Sequence, residues 1–452
     1  MTYAAALRYL DGLIYPNRPR RAYGDEKLSR MRHLLGALGD PQRRLRTVLV
    51  AGTKGKGSTA VMIADICRAH GLRVGLTVKP HLVDYRERIQ ISGRKISRTD
   101  LAALVERIQP AVEAGRELVW GPATYVEATV ALALLHFVDQ RVDLAVVEVG
   151  IGGRLDATNV VDPLVSVITP ISYDHTEILG ETLTAIATEK AGIIRAGGRV
   201  VSAPQPDEAL AVITQTCEAK LATLVLVGRD VEARVEESSL RGVRATVRGG
   251  RGTYAVRVPL LGRHQAVNAA AAIGAVESLP EDVLRLDAGA VRRGLAAVRW
   301  TARIEVIDTA PYTVIDVGHN PASMGALREV LQQQLGGRRL VLVFGMLATK
   351  DYRTVAAMIA PLAQTIVTTT PDNPHALAAE LLAAEVRPHA ADVLVIPDRR
   401  EAVERGRALA GPEDVLLITG SFYLVGEARE WLRRAKAAGK AHRRKPAASA
   451  RR

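Results

Sequence analysis

The sequence predicts an α/β protein of two domains, each built on a mainly parallel sheet, with a small antiparallel sheet added to the first. Three observations predict it. At 452 residues the chain exceeds what a single core usually organises. Short β-branched runs alternate with segments of helical apolar spacing, the pattern of βα units. That alternation gives way to β-rich, glycine-punctuated sequence over 223–260. It restarts beyond Val298-Arg299-Trp300-Thr301, which sets the domains at 1–298 and 299–432.

Taken in order, 3–13 and 27–38 read as helices joined by the loop Tyr15-Pro16-Asn17-Arg18-Pro19. The apolar run 47–51 ends in Gly52-Thr53-Lys54-Gly55-Lys56-Gly57-Ser58-Thr59, ahead of a helical segment over 60–70. Strand, glycine-rich turn and helix together make a phosphate-binding loop (P-loop). Glycines let backbone N–H groups close around phosphate oxygens, and the helix N-terminus adds partial positive charge. Lys56 can reach the terminal phosphates, and Ser58 or Thr59 can hold Mg2+. Gly57, between Lys56 and Ser58, departs from the usual spacing. A strand over 72–77 completes a βαβ unit, and the polar loop 79–89 falls where α/β proteins place ligand contacts.

Helices are expected over 100–113 and 125–138. The run 143–150 reads as a central parallel strand with Glu148 at its far end, the usual place for a second ligand to nucleotide-bound Mg2+. A glycine-rich turn follows, with Arg154 as a carboxylate clamp. His175, after a strand over 165–169, reads as a metal ligand, a base or a structural histidine. Lys190, in a helix over 183–191, reads on its own as a surface lysine. Gly262 to Asn268 opens an Ala-rich helix. In the second domain, strands at 312–316, 340–344, 363–369, 393–397 and 414–419 make a doubly wound, Rossmann-like pattern without a phosphate loop. Asp316-Val317-Gly318-His319-Asn320-Pro321 sits at the end of its first strand, where it is expected to face the first domain.

Composition excludes several classes. Cys67 and Cys217 lie far apart, so there is neither a disulfide framework nor a metal-binding spacing, which suits the cytoplasm. The first residues carry Arg8 and Asp11 and no apolar signal region, and the longest apolar stretch is too short to span a membrane. The net charge of +13 is uneven: 433–452 hold nine Lys/Arg and no acid, leaving +4 elsewhere. Such a tail reads as disordered and solvating rather than as a specific nucleic-acid site. The modestly positive body suits polyanionic ligands.

These motifs together resemble the folylpolyglutamate synthase / dihydrofolate synthase family of the Mur ligase superfamily, over roughly residues 20–430. The residues that carry the resemblance are Gly52 to Ser58, Pro80-His81-Leu82 with Glu87-Arg88-Ile89, and Glu148 to Asn159. Further along they are Asp174-His175, Glu189-Lys190-Ala191-Gly192-Ile193-Ile194, His264-Gln265 with Asn268-Ala269, Asp316 with His319-Asn320-Pro321, and Thr419-Gly420-Ser421. The resemblance implies a P-loop Mur-ligase-like domain and a C-terminal Rossmann-like domain. It also implies ATP-dependent ligation of L-glutamate to a pterin-linked carboxylate, dihydropteroate or a reduced folate, through an acyl phosphate.

By resemblance, Gly55, Lys56, Gly57, Ser58, Thr59, Asn268, Arg303, Asp316 and His319 contact ATP, and Lys56, Glu148, His175 and Lys190 carry the chemistry. Ser58, Glu148 and His175 serve one or two Mg2+ ions, Lys190 is carbamylated, and Tyr125, Glu127, Gly153 and Arg154 meet the pterin substrate. Closure of the two domains would complete the site, and a monomer is expected. One departure bears on the metals. The family usually has Ser-Pro-His-Leu, with the serine a metal ligand, where this chain has Lys79-Pro80-His81-Leu82. Three other readings remain: a Mur-type peptide ligase, a nucleic-acid-associated P-loop ATPase, and an inactive binding protein. The first is disfavoured by the 51 residues ahead of Gly52, where Mur ligases usually carry a substrate domain.

Overall fold

The structure, a computed structural model, describes residues 1–14, 26–119, 121–390 and 392–443. The loop expected at 15–19 and the end of the basic tail, from 444 on, lie outside these residues. The chain divides into two compact units. The first comprises Met1–Ser238, Gly242–Pro259 and Arg263–Arg299; the second comprises Ser239–Arg241, Leu260–Gly262 and the chain from Trp300 on.

The strands of the first unit's main sheet are β1 (Thr47–Ala51), β2 (Val74–Thr77), β3 (Ile89–Ile91), β4 (Arg94–Lys95), β5 (Leu144–Glu148), β6 (Pro163–Ile168), β7 (Arg199–Ser202) and β8 (Thr223–Leu226). Their spatial order is β4-β3-β2-β5-β1-β6-β7-β8. The strands from β2 to β8 pair in parallel, while β3 and β4 add an antiparallel edge. β1 and β5 are buried along their whole length, as their unbroken apolar runs demand of parallel strands covered on both faces. β5 lies beside β1, with Val50 opposite Glu148, so the strand-end carboxylate stands next to the turn that follows β1. The helix after that turn begins at Lys56, four residues earlier than its apolar pattern indicates. Gly55 in the left-handed region lets the chain enter the helix directly from the glycine turn. β3 and β4 escape a pattern reading because they are too short to show alternation.

A second sheet holds β9 (Glu232–Ser239), β10 (Gly242–Arg248) and β11 (Thr253–Val258), with β10 and β11 antiparallel. Their alternating burial fits a sheet with one covered face. It packs on the helix His264–Glu277, where Glu277 accepts from the Tyr254 hydroxyl at 2.7 Å and from Gly250 N–H at 2.9 Å.

The second unit is a six-stranded mixed sheet of β12 (Glu305–Thr309), β13 (Tyr312–Asp316), β14 (Leu340–Phe344), β15 (Thr365–Thr368), β16 (Asp392–Val395) and β17 (Val415–Thr419), in the order β12-β13-β17-β14-β15-β16. Only β12 runs antiparallel, so the doubly wound pattern stands with one added edge strand. Its own core gathers Val314, Leu327, Leu342, Phe344, Ile366 and Leu417. The last helix, Phe422–Arg443, runs well past 433, into the stretch that composition marks as a disordered tail. Alanine, lysine and arginine are strong helix formers, which continues the helix there.

Candidate active site

Gly52 and Gly55 both adopt positive φ, 136° and 80°, and shape the turn after β1. A Cβ at Gly55 would lie 2.4 Å from Asn268 Oδ1, so glycine is required both for the backbone and for the approach of the helix that carries Asn268. The turn is anchored from below, where Thr53 and Lys54 N–H donate to Pro170 O at 3.0 and 3.2 Å. The helix Lys56–Ala69 then points the free N–H groups of its first turn into the concavity. Lys56 curls back over the loop, its Nζ donating to Gly52 O at 3.1 Å and Thr53 O at 3.3 Å. Ser58 and Thr59 are buried in the first turn, and Thr59 Oγ1 has no hydrogen-bond partner among the described residues.

Lys190 is not a surface lysine. It is 4% exposed and donates to Gly52 O at 2.8 Å. Burial, then the nearby Lys56 charge, bring its pKa down to about 7, against the pull of Asp174. Asp174 itself pairs with Lys54 at 3.1 Å. His175 sits in the left-handed region at φ 53°, with its ring nitrogens 3.8 Å from Asp174 Oδ1 and 3.9 Å from Glu177 Oε1.

Glu148, 4% exposed, accepts the Lys79 backbone N–H at 2.8 Å. Beside it Asp156, 1% exposed, accepts from Thr158 N–H at 3.0 Å and Thr158 Oγ1 at 2.5 Å. Burial works against the charge of Asp156, but Lys79, Lys27 and the Thr158 hydrogen bonds outweigh it and hold the pKa near 2. Lys79 Nζ lies 3.8 Å from Asp156 Oδ1. Burial pulls the Lys79 ammonium below its ordinary range, while Asp156 and Glu148 favour its charge. Nothing in the sequence singled out Asp156 for this role; its partner comes from the loop after β2.

The residues fit one divalent ion. Ser58 at the helix start and Glu148 at the neighbouring strand end are a hydroxyl and a carboxylate, the oxygen donors Mg2+ prefers, beside the orphaned Thr59 hydroxyl. A second ion fits poorly. Position 79 places a lysine side chain, not an oxygen donor, at the Glu148–Asp156 corner, with Nζ 3.8 Å from Asp156 Oδ1.

The residues expected at the pterin divide. Tyr125 packs edge-on against Tyr85, and the Arg88 guanidinium lies 5.4 Å from the Tyr125 ring and 5.8 Å from that of Tyr85. Arg88 Nε donates to His81 Nδ1 at 2.8 Å, and burial followed by the Arg88 charge lowers the His81 pKa to about 4. This aromatic and cationic wall is a signal that only the fold assembles. Glu127, by contrast, is 0% exposed and bonded to Arg30 through Nε and Nη2 at 2.7–3.0 Å. It also accepts from Thr124 N–H at 2.7 Å. The expectation of a substrate contact at Glu127 is therefore corrected: its carboxylate caps a helix start and neutralises Arg30. Arg154 is spread on the Glu189 carboxylate at 2.8 and 3.0 Å, and Gly153 leaves only 2.7 Å between its missing Cβ and Glu189 O, so the turn lies tightly on the helix Leu183–Ala191.

In the second unit, Asp316 at the end of β13 accepts from Ile304 N–H at 2.9 Å and Gly318 N–H at 2.7 Å. Burial raises its pKa to about 6 despite those bonds and Arg303. The Arg303 guanidinium lies 5.5 Å from the Trp300 ring and 5.3 Å from the Phe422 ring. His319 Nδ1 lies 2.8 Å from Val317 O, and its ring is 5.7 Å from that of Phe422.

Comparison with known proteins places this geometry. Residues 50–276 match the Mur ligase middle domain and 302–422 the Mur ligase glutamate ligase domain. The chain is 34% identical to the dihydrofolate synthase/folylpolyglutamate synthase of Bacillus subtilis, covering 90% of this chain and 95% of that one. It is 38% identical to a probable bifunctional folylpolyglutamate synthase/dihydropteroate synthase of Halobacterium salinarum, but spans only 49% of that relative's length. Among solved structures, Mycobacterium tuberculosis folylpolyglutamate synthase complexed with ADP superposes with a TM-score of 0.88 at 32% identity, over 95% of this chain and 99% of that one. Escherichia coli FolC in complex with DHPP and ADP gives 0.85 at 28% identity, over 96% and 99%.

Proposed function

Because the chain belongs to the folylpolyglutamate synthase/dihydrofolate synthase family of Mur ligases, we propose that it adds L-glutamate to dihydropteroate or a reduced folate at the expense of ATP. The observation that carries this reading is the convergence on one turn of Lys56 and the helix N-terminus, with the buried Glu148 on the adjacent strand. Two anions, a carboxylate and ATP, must approach each other, and this arrangement supplies fixed positive potential where they meet.

In the proposed cycle the substrate carboxylate oxygen attacks the γ-phosphorus, ADP leaves, and an acyl phosphate forms. The glutamate amine then attacks the acyl carbon and phosphate departs. Lys56 and the amides of Gly55, Gly57, Ser58 and Thr59 hold phosphate oxygens. One Mg2+ would be held by Ser58 and Glu148 and supplies charge neutralisation when bound. Asn268 positions the glycine turn by its contact at Gly55. Arg303, Asp316 and His319 are assigned to the nucleotide, Asp316 offering its remaining lone pairs and Arg303 a flat cation held by Trp300 and Phe422. Tyr125, with Arg88 and Tyr85, is assigned to the pterin ring, and Arg154 to an acidic end of the substrate.

Lys190 is assigned as a carbamate: its amine adds to CO2, a proton leaves, and a buried cation becomes an anion facing the lysine-rich loop. Its low pKa supports this, since only the neutral amine reacts. His175 is assigned beside it. A cytoplasmic location agrees with two buried, unpaired cysteines, and no helix among the described residues is long and apolar enough to cross a membrane. The mechanism is tested with substrate acid labelled with oxygen-18 in its carboxylate. One labelled oxygen should pass to phosphate for each glutamate added; label retained wholly in the acid would exclude the acyl phosphate.

A further inference from the structure

The Lys79 side chain has an unusual setting. Its backbone N–H is fixed by Glu148 at 2.8 Å, which holds the residue at the carboxyl end of β2, beside β5. Its aliphatic part then lies over Gly150: a Cβ there would be 3.6 Å from Lys79 Cδ, 3.7 Å from Nζ and 3.0 Å from Asp156 Oδ2. The amine is thus delivered into the carboxylate corner made by Glu148 and Asp156. Yet Nζ is buried with no hydrogen-bond partner among the described residues, and Asp156 is in ion-pair range only, at 3.8 Å. An ammonium carries three donors, and leaving them unmade in a buried place is costly. The arrangement makes sense when an oxygen anion of a bound ligand accepts them. The neighbourhood says which ligand. β2, β5 and β1 are adjacent parallel strands, so Lys79, Glu148 and the phosphate loop after β1 share one end of the sheet.

Resting on the reading of this turn as a nucleotide site, we propose that the Lys79 ammonium is a fixed cation of the phosphoryl-transfer site. It donates to a phosphoryl oxygen and takes the place of a second divalent ion, so that the enzyme–nucleotide complex holds one Mg2+. A divalent ion at this corner would need lone pairs that a protonated amine lacks, and would meet its positive charge instead.

The test counts ions rather than turnover. Mn2+ is titrated into the protein with a non-hydrolysable ATP analogue, and bound ion is read by electron paramagnetic resonance and calorimetry. The wild type is expected to bind one ion per bound nucleotide, Lys79→Ser two, and Lys79→Arg one. Thermal melts establish that each variant is folded; should Lys79→Ser not fold, the wild-type and Lys79→Arg counts decide. Two ions in the wild type, or one ion in a folded Lys79→Ser, overturns the proposal while nucleotide binding stands. No nucleotide binding at all overturns the reading of the site and this inference with it.

Discussion

At the scale of single residues, the site is a contest between charge and burial. Lys56→Ala removes a cation aimed at the phosphates and should lower kcat by about 10²–10³-fold while the melting temperature holds, because among the described residues Lys56 bonds only its own loop. Steady-state kinetics beside a thermal melt separates the two. Lys190 gives a pH dependence. Its amine is protonated below about 7 and neutral above, so carbamate should grow as pH rises through about 7. A carbon-13 carbamate signal from labelled bicarbonate should follow that curve, and Lys190→Ala should lose it and recover part of its activity with added short carboxylates. Glu127→Ala should behave oppositely to Lys56→Ala. It strands the buried Arg30 charge, at a cost of about 3–5 kcal/mol in urea unfolding. Glu127 shows what a motif match leaves out: position alone suggested a ligand contact, whereas only the fold shows that Arg30, 97 residues away, takes up its carboxylate.

At the scale of elements, most of the site was legible because strand, glycine turn and helix are local. The runs 47–51 and 143–150 announced β1 and β5, and the glycines announced the loop. The non-local pairings were not legible. Asp156 with Lys79, and Arg88 with Tyr125 and Tyr85, come together only through strand order, and β3, β4 and the antiparallel β12 are too short or too irregular to betray themselves. Another such contact is that of Gly55 with Asn268. Gly55→Ala forces a left-handed residue and a Cβ 2.4 Å from Asn268 Oδ1, so the turn must shift off the helix His264–Glu277. Nucleotide affinity should drop by at least the roughly tenfold that about 1–2 kcal/mol of strain implies, measured by calorimetry. Gly55→Ala combined with Asn268→Ala should recover part of the loss.

At the scale of the whole molecule, two units each carry a core of their own, and the first holds the phosphate loop, Glu148, Lys190 and Lys79. Nine of the Lys/Arg fall within 433–452, four of them beyond Arg443, so ending the chain after Arg443 should leave ligation unchanged and create no dependence on nucleic acid. The central claim is that the charged turn after β1 serves amide ligation rather than ATP hydrolysis alone. It is tested most directly by incubating the protein with ATP, Mg2+ and L-glutamate, with either dihydropteroate or tetrahydrofolate, and weighing the acids by mass spectrometry. One or more glutamyl residues added to either acid, with ADP and phosphate formed in equal number, is the predicted result. ATP consumed while both acids keep their mass would contradict it.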